Sequence, residues 1–160
     1  EALTDEELLQ VTETRLRALM SRPLRVLVVD DEPKIRQFLK GALEMHAYEA
    51  LTASDGEQAL ALLRGEPIDL ILLDLMMPGI DGYEVDRRLK ADPKLKAIPV
   101  IIVTAKGERK DRQSDVQHVA HNYVAKPFDL EDLLARIRDT LVRHRLPAAP
   151  GARQAGAGKG

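Results

Sequence analysis

Three stretches of this chain are apolar without a break: VLVV at 26–29, LILL at 70–73 and VIIV at 100–103. A strand with one wet face alternates apolar and polar residues. An unbroken run must be covered on both faces, which is the mark of a parallel strand inside a layered α/β domain. Two weaker segments, 49–53 and 122–125, complete a set of five strands, at 24–29, 49–53, 69–73, 99–103 and 122–125. Helical spacing predicts helices over 33–45, 56–64, 81–89 and 109–119 between them, and a last helix over 130–145. That last helix carries Leu133, Leu134, Ile137 and Leu141 on one stripe. Asp129 is its expected N-cap, with Phe128 stapled onto Leu133. Arg143, His144 and Arg145 stand where a helix C-terminus favours cations. Parallel strands need crossovers, and right-handed ones give a doubly wound open sheet.

The flanks differ from this core. Residues 4–20 read as an amphipathic helix, with Thr4 and Glu7 as a capping box and Leu9, Leu16 and Leu19 on one stripe in which Thr12 is the weak member. Pro23 ends it. From Pro147 to Gly160 the chain is mostly Ala, Gly and Pro and is expected to be disordered, because it lacks the apolar groups to offset its ordering entropy. The expected organisation is therefore a helical extension or linker at 1–22, one folded domain at 23–146 and a low-complexity tail at 147–160. A coiled-coil homodimer through the first helix is a sharper alternative to a linker, resting on about two heptads.

Composition excludes several classes. The 160 residues contain no cysteine, which removes disulfides, thiolate metal sites and cysteine nucleophiles and fits a cytoplasmic setting. The net charge of −2 gives no basic surface for nucleic acid or membrane. No apolar run approaches the roughly 20 residues that cross a bilayer. No signal peptide pattern is visible. The chain begins at Glu1 rather than Met, which leaves open what precedes it.

The unusual polar residues gather where strands end. Asp30, Asp31 and Glu32 follow the first strand, Asp74 the third, Thr104 the fourth and Lys126 the fifth. Open α/β sheets bind ligands beyond the carboxyl ends of their strands, at the switch point of the topology. With strand order 2-1-3-4-5 and about 4.8 Å between neighbours, Asp30, Asp31 and Asp74 converge, with Thr104 one strand away and Lys126 two. Clustered carboxylates repel unless a cation joins them, and Mg²⁺ suits one or two carboxylates, waters and a phosphate oxygen. A carboxylate is also a nucleophile that can form an aspartyl phosphate. Lys126 would then supply charge, and Thr104 a hydrogen bond, to the phosphoryl oxygens. Singly, each residue has a plainer reading. An acidic pair after a strand is commonly a turn or helix cap, Thr104 is structural, Lys126–Pro127 is a loop and Tyr123 is as readily a core tyrosine. Asp74 is the strongest alone, since a carboxylate closing LILL is costly if buried unpaired.

LVVDDEP, LILLDLMMPGIDGYE, VIIVTAKG and YVAKPF resemble the response-regulator receiver family of two-component signalling, over about residues 24–145. The resemblance implies a flavodoxin-like fold and a phosphorylation-dependent switch. It makes Asp74 the acceptor of a phosphoryl group from a sensor histidine kinase or phosphotransfer protein. It gives Mg²⁺ to Asp31 directly, to Asp30 through water, to Asp74 and to the backbone carbonyl of Met76. Thr104 and Lys126 match the family's phosphate-sensing hydroxyl and lysine. Tyr123 matches the aromatic that moves with the Thr, and the Lys126–Pro127 bond is expected to be cis. Effectors would read the face formed by 109–119, 122–125 and 130–145. The chain departs from the family's usual small residues before the last strand, having His118, Val119, Ala120 and His121. Met76 and Lys106 are placed to control water access to the site.

Two competing functions have specific requirements. A haloacid-dehalogenase-type phosphatase needs a second Asp two residues after the nucleophile, where this chain has Met76. A flavodoxin-like nucleotide binder needs a phosphate loop after the first strand, where Asp30, Asp31 and Glu32 would repel phosphate. His118 and His121 read as helix-end residues rather than a zinc pair, and the charged run 106–112 as a solvated helix start.

Overall fold

The structure is a computed structural model. It describes residues 4–19, 23–105 and 122–145, with side chains described for 4–12, 23–105 and 123–144. Its elements are α1 (Asp5–Leu19), β1 (Arg25–Val29), α2 (Pro33–Met45), β2 (Glu49–Ala53), α3 (Gly56–Gly65), β3 (Leu70–Leu73), α4 (Gly82–Ala91), β4 (Val100–Ala105), β5 (Asn122–Lys126) and α5 (Leu130–Arg145). The five strands are parallel in the order β2-β1-β3-β4-β5. The expected helix over 109–119, the charged run 106–112, Lys106, His118, His121 and the tail 147–160 lie outside the described residues.

The apolar runs serve two cores by alternation. Leu27 and Val29, Ile71 and Leu73, and Val100 and Ile102 point to one side, under Ala59, Leu60 and Leu63 of α3 and Val85 and Leu89 of α4. Val26 and Val28, Leu70 and Leu72, and Ile101 and Val103 point to the other, under Leu39 and Leu43 of α2 and Leu133, Ile137 and Leu141 of α5. Each fully buried Leu or Ile contributes about 1.5–3 kcal/mol, so these positions hold the sheet between its helices.

Local chemistry sets the element ends. Pro33 opens α2, where its missing N–H and fixed φ cost nothing. Asp55 and Asp81 cap α3 and α4 by accepting from the N–H groups of Gln58 and Glu84. The Thr4–Glu7 capping box forms in both directions, at 2.9 and 3.1 Å, and α1 runs beside α5. At α5, Asp129 accepts from the Glu131 N–H at 3.3 Å, and Phe128 packs onto the cluster containing Leu133. Gly79 has φ +78°, a turn conformation that side chains resist. Lys126–Pro127 is cis, as expected.

Two strands are longer than the sequence pattern suggests. β4 continues through Thr104 to Ala105, and β5 through Lys126, so Thr104 and Lys126 lie within strands rather than after them. Mutual pairing extends both: Thr104 pairs with Ala125 and Ala105 with Lys126. Hydropathy ends a strand where apolar residues end, but the backbone ladder does not.

Candidate functional site

The topology brings the site residues together at the carboxyl edge of β1, β3, β4 and β5. Asp30 and Asp74 are buried and Asp31 is exposed. Each of the three can offer a carboxylate oxygen, and these oxygens lie within 4.8 Å of one another. The backbone holds the two buried acids in place: the Asp30 N–H donates to the Ala53 carbonyl at 3.1 Å, and the Asp74 N–H to the Val29 carbonyl at 3.0 Å.

Lys126 binds the acids from the far strand. Its Nζ donates to Asp30 Oδ2 at 2.8 Å, to Asp74 Oδ2 at 3.2 Å and to Glu32 Oε1 at 3.4 Å. Thr104 Oγ1 donates to Asp74 Oδ1 at 2.8 Å, and the Met76 N–H reaches the same oxygen at 3.2 Å. Both oxygens of Asp74 are thus held by donors. The electrostatics follow from burial and pairing. Burial would lower the Lys126 pKa, but its hydrogen bond to Asp30 and the charges of Asp30 and Asp74 outweigh it and hold the ammonium above its ordinary value. Burial pushes the Asp30 carboxyl up, hydrogen bonds from Lys126 and the Glu32 N–H pull it down, and the neighbouring charge of Asp74 adds to the rise. Two buried acids sharing one ammonium are under-neutralised, and hard oxygen donors this close fit a small divalent cation.

Tyr123 is partly buried, with its ring against the core cluster beneath α3 and α4. The Met76 side chain is 54% exposed beside the acids. Met76 stands where the phosphatase alternative requires its second Asp, and nothing in the site supports that alternative. Two contacts here were not anticipated. Glu32 is a third carboxylate on Lys126, and Arg36 donates from Nη1 to the Asp30 carbonyl at 2.7 Å.

Residues 26–138 match the response regulator receiver domain. The chain belongs to that family. Its receiver is 44% identical over 118 residues to the phosphate regulon transcriptional regulatory protein PhoB of Pseudomonas aeruginosa, covering 74% of this chain and 52% of PhoB. It is 41% identical over 126 residues to the DNA-binding dual master transcriptional regulator RpaA of Synechocystis, covering 78% and 52%. The chain therefore spans about half the length of these curated relatives. Among solved structures, a response regulator receiver protein from Pseudomonas putida superposes with a TM-score of 0.70 at 30% identity, covering 75% of this chain and 98% of that one. The response regulator TrrA of Thermotoga maritima, in complex with Mg²⁺-BeF, gives 0.65 at 38%, covering 72% and 97%. The chain is thus a receiver domain of two-component response regulators, a class of regulatory phospho-acceptors with a flavodoxin-like fold. Receiver domains bind Mg²⁺ at an acidic cluster, and this chain carries such a cluster. Response regulators work with histidine kinases and effectors. No helix among the described residues is long and apolar enough to cross a membrane.

Proposed function

We propose that Asp74 accepts the phosphoryl group. The observation that carries this is its pair of oxygens, one held by the Thr104 hydroxyl and one by the Lys126 ammonium. Both donors can pass to the oxygens of an incoming phosphoryl group. A carboxylate oxygen of Asp74 attacks phosphorus, the bond to the donor's imidazole nitrogen breaks, and the imidazole leaves to take a proton from solvent. Asp30, Asp31, Asp74 and the Met76 carbonyl would hold Mg²⁺, which when bound neutralises charge on the transferring group. Lys126 shares that work, and Thr104 follows the new phosphoryl oxygen with Tyr123 as its partner in the switch.

The donor is a sensor histidine kinase or a phosphotransfer protein, with small phosphodonors as substitutes, and the module also dephosphorylates itself. Residues 23–146 act as the receiver, in a cytoplasmic setting. Residues 1–22 serve as a linker or a homodimer contact.

The test is incubation of the protein with a small phosphodonor and Mg²⁺. One acid-stable, base-labile addition of a phosphoryl mass is expected, absent in Asp74→Asn and without Mg²⁺. An equal increase in Asp74→Asn would overturn the assignment. A second measurement concerns Met76. Its exposed thioether shields the site from water, whereas an amide would hold a water by one hydrogen bond. Met76→Asn is expected to speed dephosphorylation on the order of fivefold, about 1 kcal/mol. Equal half-lives for the two phosphorylated proteins would remove Met76 from this role.

A further inference from the structure

We propose that Arg36 is a positioning residue for the metal-binding loop, an inference that rests on the proposed Mg²⁺ role of Asp31. The three acids of the cluster are not held alike. Asp30 has Lys126 and the Glu32 N–H on its carboxylate, and Asp74 has Thr104, Lys126 and the Met76 N–H. Asp31 is exposed, and among the described residues its carboxylate has no hydrogen bond and no ion pair. Its place among the three therefore depends on the backbone that carries it.

Arg36 fixes that backbone. It lies in the first turn of α2, where its own N–H donates to the Glu32 carbonyl at 3.1 Å. Its half-buried side chain turns back along the helix, and Nη1 donates to the carbonyl of Asp30 at 2.7 Å. That carbonyl belongs to the peptide joining Asp30 to Asp31. One charge-assisted bond thus locks the plane from which the Asp31 side chain projects. Among the described residues Arg36 makes no ion pair with a carboxylate, so its guanidinium serves this carbonyl. Partners that orient a metal ligand in this indirect way typically change affinity about tenfold or more when removed.

Charge and position predict opposite results, which makes the inference testable. A cation near the site repels Mg²⁺, so if Arg36 acts only by charge, Arg36→Ala tightens Mg²⁺ binding. If Arg36 positions the loop, the same substitution weakens it. The experiment is calorimetric titration of the full chain with Mg²⁺ alone at 20 °C, beside thermal melting of each variant without metal. The expected result is about tenfold weaker binding for Arg36→Ala and recovery of most of that loss in Arg36→Lys, which restores one donor. Unchanged or tighter binding in Arg36→Ala overturns the inference. So does a loss confined to melting temperature, which a merely structural role would give. Asp31→Asn separates the two levels of the argument. If the parent binds no Mg²⁺, or Asp31→Asn binds it equally well, the metal role of Asp31 falls. If Asp31→Asn loses binding while Arg36→Ala keeps it, only the positioning role falls.

Discussion

Gly82→Ala is expected to destabilise the protein by about 3 kcal/mol and to impair phosphoryl uptake at Asp74, although Gly82 bears no functional group. Gly82 is the first residue of α4, and its N–H donates to the Leu75 carbonyl at 2.9 Å. A Cβ placed there would stand 2.4 Å from the backbone oxygen of Asp74 and 2.7 Å from the Cα of Leu75. Those neighbours are main chain, and no rotamer change relieves the clash. Either α4 lifts from the sheet, uncovering Val85 and Leu89, or the backbone at Asp74 shifts. Overpacking ordinarily costs 1–3 kcal/mol, and a rigid backbone neighbour puts this case at about the upper end. The internal control is Gly41→Ala. Gly41 lies within α2, and a Cβ there would meet nothing within 4 Å, so replacing it should stabilise by about 0.5–1 kcal/mol through helix propensity. Urea unfolding of both variants gives the comparison. A Gly82→Ala protein as stable as the parent, with full phosphoryl uptake, would mean that α4 does not press on Asp74.

How much of this could be seen in the residues themselves depends on whether a role leaves a local pattern. The sheet was legible because VLVV, LILL and VIIV have no polar break, which only a two-sided burial explains. The convergence of Asp30, Asp74 and Lys126 was legible through topology: residues 96 apart in sequence, Asp30 and Lys126, meet at 2.8 Å because β1 and β5 end on the same edge. The strand limits were not, since Thr104 and Lys126 join the ladder through backbone pairing to which their side chains give no clue. Arg36 was equally silent. A basic residue in a first helical turn looks like solvated surface, and its partner is a carbonyl, which every residue possesses. Asp86 was hidden for a related reason. Within GYEVDRRLK it stands next to Val85 and at helical spacing from Gly82 and Leu89, but a carboxylate before two arginines reads by residue type as solvated surface, while the tertiary structure buries it completely.

Asp86 gives the other large expected effect, in the opposite direction: Asp86→Asn should stabilise the protein by about 2 kcal/mol at pH 7. Among the described residues both carboxylate oxygens are buried without a hydrogen bond, and Lys90 Nζ stands 3.7 Å from Oδ1. Burial raises the pKa from its ordinary value to about 6, with Lys90 pulling against the rise. The unfolded chain releases this proton near pH 4, the folded chain near 6. Between those values the folded state binds the extra proton, so this group's contribution to stability falls as pH rises through the window. Above about pH 6 the full penalty applies. Two units correspond to roughly 3 kcal/mol, of which Asn would recover about two-thirds because a buried amide without partners keeps part of the desolvation cost. The melting temperature at pH 7 should rise by roughly 6 °C. The decisive measurement is the stability difference between Asp86→Asn and the parent across pH 4 to 7.5. Other carboxylates titrate in that range too, but they are common to both proteins and cancel in the difference. A difference that favours Asp86→Asn by about 2 kcal/mol above pH 6 and, moving by about 3 kcal/mol, reverses to favour the parent by about 1 kcal/mol towards pH 4 identifies a buried carboxylate taking up its proton on folding. A difference that stays constant across the range would mean that Asp86 keeps an ordinary pKa and that Lys90 neutralises it fully.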